Sequence, residues 1–227
     1  MLTQLANLAA AQPNPPGSGP YHYVRTKAWD LSTDVTTQMQ VLESHIAVSE
    51  RQQWIASDGS GELKVTTDGP AARVSDVYGP GKLAAQFITG VSVEDLQRAL
   101  TRQFPRNSSA FDWVDTFRQV WNRQVVSPDL QATMLRILAA QPGLAISGAT
   151  TDRDGRSGIA VSAQSRDGQG GSPALRCTLV FNPATGMLMD YERVALDAGS
   201  LPIQAPATTG YTVWLASGYT HAVSEIP

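Results

Sequence analysis

The chain has 227 residues, of which 42% are hydrophobic and 16% charged, with a net charge of −3. That length supports one large domain with a real core, and the charge content is low against roughly 25% for an average soluble protein. No basic stripe or aromatic-basic interleaving suits a phosphate backbone, which excludes nucleic acid as a partner. Cys177, the only cysteine, rules out an intrachain disulfide and a cysteine-based zinc site within one chain. With no run of 18 apolar residues, the sequence offers no membrane-spanning helix.

Residues 2–12 have helical composition, with Leu2, Leu5 and Leu8 at helical spacing, followed by a Pro/Gly/Ser stretch over 13–20. The pattern predicts a short helix on a tether, apart from a single domain over 21–227. The first residues lack the basic start of a signal peptide and run into Pro13, Pro15 and Pro16. An export signal or membrane anchor is therefore expected outside this segment.

From Tyr21 the texture becomes β. Strands are expected over 21–29, within 36–57 and over 62–67, with Asp58-Gly59-Ser60-Gly61 as a tight hairpin, so that 21–68 forms a meander. The middle third, 92–142, reads as three helices. Ser92 with Glu94 and Asp95 opens the first, which Pro105 stops; Phe111, Val114, Phe117, Val120 and Trp121 form the apolar face of the second. Ser127-Pro128-Asp129 supplies cap, first-turn proline and dipole-matched acid for the third, which ends at Pro142-Gly143.

The last third returns to β, with strands expected over 144–150, 157–164, 174–181, 187–196 and 211–221. Turns at Asp154-Gly155, Asp167-Gly168 and 182–186 separate them. Short turns imply antiparallel neighbours. Strands flanking three one-faced helices predict an α+β fold, in which a curved antiparallel sheet carries the helices on its concave face.

Little in the sequence carries chemistry. His22, His45 and His221 are far apart and belong to no metal motif. Ser44 and His45 are adjacent, so on a strand their side chains point to opposite faces and cannot act as nucleophile and base. Gly79-Pro80-Gly81-Lys82 lacks the remaining residues of a phosphate-binding loop. Asp152-Arg153-Asp154-Gly155 lacks the further ligands of a calcium loop and reads as a turn. Asn107-Ser108-Ser109 is a sequon that matters only in a eukaryotic secretory context. Cys177, within a strand pattern, reads as a small buried hydrophobe.

No catalytic residue, metal site or cofactor is indicated. The aromatic residues are the remaining candidates: Trp29, Trp54, Trp121, Trp214 and Tyr191 could line an apolar pocket between sheet and helices, or simply fill that interface.

Five stretches, over 21–29, 53–61, 135–143, 151–161 and 179–186, together resemble, in order and spacing, an uncharacterised actinobacterial family of membrane-anchored exported proteins. Members are often encoded beside an extracytoplasmic-function sigma factor. The resemblance implies a short cytoplasmic segment and one membrane helix outside this sequence. It also implies an outer domain similar to the open half-barrels of LolA, LolB, RseB and the mycobacterial LppX and LprG proteins. The implied role is non-catalytic: envelope sensing, or holding an apolar or lipid-like ligand between sheet and helices. The other reading is a domain with a filled core that meets an envelope protein partner, for example in regulating sigma-factor signalling.

Overall fold

A computed structural model describes residues 1–35, 41–68, 73–89, 92–105, 108–165 and 172–227. The expected turn at Asp167-Gly168, Asn107 of the sequon and residues 36–40 of the long β stretch lie outside the described residues.

Three helices start where their caps dictate. Helix α1 spans Leu2–Ala10, α2 Val93–Gln103, α3 Ala110–Arg123 and α4 Pro128–Ala139. The Ser92 and Ser127 hydroxyls accept from the backbone N–H of Asp95 and Leu130 at 3.1 and 3.3 Å. At α3 the Ser109 hydroxyl accepts from Asp112 N, while the Asp112 carboxylate accepts from Ser109 N at 2.9 Å, a reciprocal capping box.

Among the described residues nine strands form one open antiparallel sheet: β1 Tyr21–Val35, β2 Val41–Ala56, β3 Gly61–Thr67, β4 Arg73–Tyr78, β5 Ala145–Thr151, β6 Ser157–Gln164, β7 Leu175–Phe181, β8 Leu188–Ala195 and β9 Ala207–Thr220. Their spatial order is β4-β3-β2-β1-β9-β8-β7-β6-β5. The first and last strands therefore meet in the middle, Tyr21 opposite Thr220 and Trp29 opposite Tyr211. The helices α2 to α4 leave from one edge strand and return to the other, about 40 Å across eight interstrand spacings. Such a crossover has to run over one face, and the sheet curves around it as the expected half-barrel. Strand β4 was not foreseen; its residues are almost all exposed, so it carries no burial pattern to read.

Alternation assigns the faces. Val24 on β1 belongs to the main core and Gln53, its neighbour on β2, donates to the Asn122 carbonyl of α3 at 2.7 Å. Tyr23 and Trp54 must therefore point to the opposite, convex face. On the concave face Val161, Leu179, Tyr191 and Thr212 stand in one cross-strand row, and with Phe181 and Trp214 this face packs against Phe117, Trp121 and the apolar side of α4.

Helix α1 is part of this core, which corrects the expectation of a helix standing apart on a tether. Leu2, Leu5, Ala6 and Ala9 are buried, and the small alanines let α1 pack closely on α4. The Pro/Gly stretch after it is likewise fixed: Tyr219 N donates to the Pro16 carbonyl at 2.9 Å, and Gly17 bridges to Tyr219.

Two titratable groups on the sheet, half-buried His22 and buried Asp190, oppose each other in pH. Burial lowers His22 to about 4, and its ring nitrogen Nδ1 accepts from Val125 N at 3.1 Å. Asp190 is buried; one carboxylate oxygen accepts from Arg153 N at 2.8 Å and the other has no partner. Burial pushes Asp190 up to about 6, with Asp152 and Glu192 adding to the rise against the Arg153 N–H.

The stability that neutral His22 contributes is present above pH 6.5 and is lost as pH falls through 4. That of protonated Asp190 is present below 3.8 and is lost as pH rises through 6. Asp190→Asn is expected to remove the second effect, worth up to roughly 3 kcal/mol. Urea denaturation at pH 4, 5, 6 and 7 should show the variant gaining on the parent as pH rises across this window. A constant difference at all four values contradicts the assignment.

Candidate functional site

Concave-face residues of β1, β2, β8 and β9 stop short of α3 at one place, and a cleft opens there. Its first cavity, about 270 Å³, lies between Thr26, Ala28 and Asp30 of β1, Arg51 of β2, Arg193 of β8 and Arg118 of α3. A second cavity of about 350 Å³ continues toward Leu83, Ala84 and Arg123. Arg51, Gln53, Arg118 and Asn122 line both, so the two form one cleft. Arg118 and Asn122 sit one helical turn apart on α3 and present the same stripe. Gly210 on β9 leaves room at the far end, where a Cβ would approach the Asp30 carboxylate to 2.5 Å and the Arg193 guanidinium to 3.3 Å.

The cleft is cationic. Four arginines and one acid, Asp30, line it in a chain whose net charge is −3. Arg118 pairs with Asp115 at 2.8 Å and lies over the Tyr191 ring at 5.2 Å. Burial opposes its charge, and Asp115 more than restores it. Arg193 donates to the Thr209 hydroxyl at 3.1 Å and stands 3.7 Å from Asp30. Burial raises the Asp30 carboxyl, against the pull of Arg193 and Arg118.

Arg123 donates to the Gln119 side chain at 3.2 Å. Arg51 is exposed, although the protein around it lowers its guanidinium pKa, and it makes no ion pair or side-chain hydrogen bond among the described residues. The Oδ1 atom of Asn122 is buried and has no hydrogen-bond partner.

Of the aromatic candidates, Tyr191 alone lines this cleft. Its hydroxyl and the Cys177 thiol are 2.9 Å apart, and burial pushes that thiol up to about 11, which keeps it protonated. Trp121 and Trp214 pack edge to face at 6.0 Å within the core beside it; the Trp214 indole donates to the Trp121 carbonyl at 3.2 Å. The crevice among Leu100, Trp113, Phe117, Met134, Ile137 and Leu138 has no room for a water.

Trp54 is on the convex face, beside Tyr23, where its indole donates to the Glu225 carbonyl of the C-terminal tail at 2.6 Å. Trp29 is half-buried on the same face, parallel to Tyr211 at 6.0 Å. The four tryptophans thus do not converge on one pocket.

The histidines remain apart. The Ser18 hydroxyl lies 3.0 Å from His221 Nε2 on the surface, and the nearby Glu225 carboxylate accepts from the backbone N–H of His221 and Ala222 rather than from the ring. The Asp152 carboxylate binds its own turn, accepting from Asp154 N and Arg156 N, as expected of a hairpin. Among the described residues no group of three or more potential metal ligands converges.

Sequence reasoning missed the four arginines. They come from β2, α3 and β8, and only the spacing of 118 and 122 on one helix offered a sequence signal.

Neither a protein-family model nor a curated protein matches the sequence. Among solved structures the chain is similar to that of MucB in complex with MucA(peri), at 12% identity and a TM-score of 0.36, over 99% of this chain. It spans 56% of that neighbour's length, little more than half. It is also similar to a domain from Vibrio parahaemolyticus described as an outer membrane lipoprotein-sorting protein. That match has 9% identity and a TM-score of 0.24, over 95% of this chain and 90% of that one.

Proposed function

We propose that this chain is an extracytoplasmic, non-catalytic binding or sensing domain of a membrane-anchored envelope protein, and that it binds in the cleft between the concave face and α3. The observation that carries the reading is the cleft itself: two joined cavities of about 270 and 350 Å³ in a half-barrel whose aromatic core beside them is filled. The extracytoplasmic setting and the anchor rest on the sequence resemblance. A wholly apolar ligand fits this cleft poorly, because Arg51, Arg118 and Asn122 would lose water without gaining partners. A lipid-like ligand fits if its polar end lies here.

The test is native mass spectrometry of the protein isolated from its own envelope, beside Thr212→Trp, which fills the first cavity. A bound small molecule on the parent that is missing from a folded variant supports the reading; equal occupancy of both sinks it.

The alternative, a protein-interaction domain, is favoured by β4. This edge strand exposes Val74 and Val77 at 52% and 73% and leaves one row of backbone groups for a partner strand. A complex with an envelope protein that Val74→Pro abolishes and Thr212→Trp leaves intact would favour it over the cleft.

A further inference from the structure

The strongest unspent electrostatic feature of the molecule is in the cleft, and it specifies a ligand class. Arg51 is exposed, with no ion pair or side-chain hydrogen bond among the described residues, so its guanidinium is free to take a ligand. Arg118 and Arg193 reach the same cavity from α3 and β8, so guanidinium groups approach one space from three elements. Two acids offset part of this charge: Asp115 pairs with Arg118 at 2.8 Å from outside the lining residues, and Asp30, itself in the lining, stands 3.7 Å from Arg193.

A carboxylate is planar and satisfies one guanidinium in a fork. A tetrahedral phosphate offers oxygens to several donors arriving from different walls.

We propose, resting on the reading of the cleft as the binding site, that it recognises a phosphate ester. Arg51, Arg118 and Arg193 take the phosphate oxygens from three walls. The phosphate belongs either to a small soluble ester or to a lipid headgroup, and the two sources share this chemistry. The cationic lining attracts the anion, which therefore binds more weakly as salt rises.

The test titrates the full chain with inorganic phosphate, glycerol 3-phosphate, and vesicles of phosphatidylcholine with and without phosphatidylglycerol, at low and at 0.5 M salt. Arg51→Gln is the main variant, since Arg51 makes no contact the fold needs; Arg136→Gln, an exposed position of α4 that lines neither cavity, is the control. The expected result is saturable, salt-sensitive binding of a phosphate-ester probe. It should weaken at least about tenfold in Arg51→Gln, with Arg136→Gln and both unfolding temperatures unchanged.

Binding of the soluble ester alone assigns a soluble ligand, and binding only to phosphatidylglycerol vesicles, again sensitive to Arg51→Gln, assigns a lipid headgroup. No binding to any phosphate probe, or binding indifferent to Arg51→Gln, overturns the proposal. If the molecule that Thr212→Trp displaces is then still held by Arg51→Gln, the cleft remains the binding site and the phosphate reading alone fails.

Discussion

Trp214→Ala is expected to lower the unfolding free energy by roughly 3–5 kcal/mol, a large share of the roughly 5–15 kcal/mol that holds a domain together. Trp214 is 5% exposed and sits where β9 meets the last turn of α3. Its removal takes away the edge-to-face contact with Trp121 and the indole bond to the Trp121 carbonyl. The damage spreads along a chain of buried hydrogen bonds, because the Trp121 indole donates to Gln131 at 2.9 Å and Gln131 donates to the Gly186 carbonyl at 2.8 Å. Through those bonds β9, α3, α4 and the β7–β8 turn are held in one register.

Trp214→Phe, which keeps most of the ring and loses the hydrogen bond, should cost about 1 kcal/mol for the bond plus a smaller packing loss. Equilibrium urea denaturation of both variants checks the ranking. If Trp214→Ala unfolds within 1 kcal/mol of the parent, Trp214 lines open space and the filled-core description is wrong.

Most of the fold could be read from local chemistry. Ser92 and Ser127 start helices through one hydroxyl each, and the glycines at 59, 61 and 155 take positive φ in turns that the sequence placed correctly. Those signals depend on a few adjacent residues. What escaped depends on tertiary context. Strand β4 has no buried side to impose a period of two. Alternation along β2 separates Gln53 from Trp54, but it cannot say which of them faces the helices until the crossover has chosen a face. Trp54 was therefore grouped with Trp121 and Trp214, though the Glu225 carbonyl of the tail, 171 residues away, is what engages its indole. The cleft arginines were invisible for the same reason, since residues 51, 118 and 193 have no relation in the sequence.

Helix α1 shows the same limit, and its docking can be tested through a single methyl group. Gly186 in the β7–β8 turn has φ +68, and a Cβ there would stand 2.1 Å from the Leu5 carbonyl of α1. Gly186→Ala therefore combines two costs: roughly 1–2 kcal/mol for the left-handed backbone, and displacement of a helix that buries Leu2, Leu5, Ala6 and Ala9. A total of at least about 3 kcal/mol is expected, since loss of Leu5 burial alone is worth roughly 2–5 kcal/mol. Gly155→Ala is the matched control. Its φ is +82 and a Cβ there meets nothing within 4 Å, so it should cost only the backbone share, about 1–2 kcal/mol.

If Gly186→Ala acts by pushing α1 off α4, adding Leu5→Ala should cost much less than it does in the parent, because the leucine is already out of the core. Proteolysis should also cut within residues 11–20 of the variant before the rest of the chain. Full additivity with Leu5→Ala and an uncut N-terminus would mean that α1 stays docked and that the β7–β8 turn, which bonds to Gln131, gives way instead.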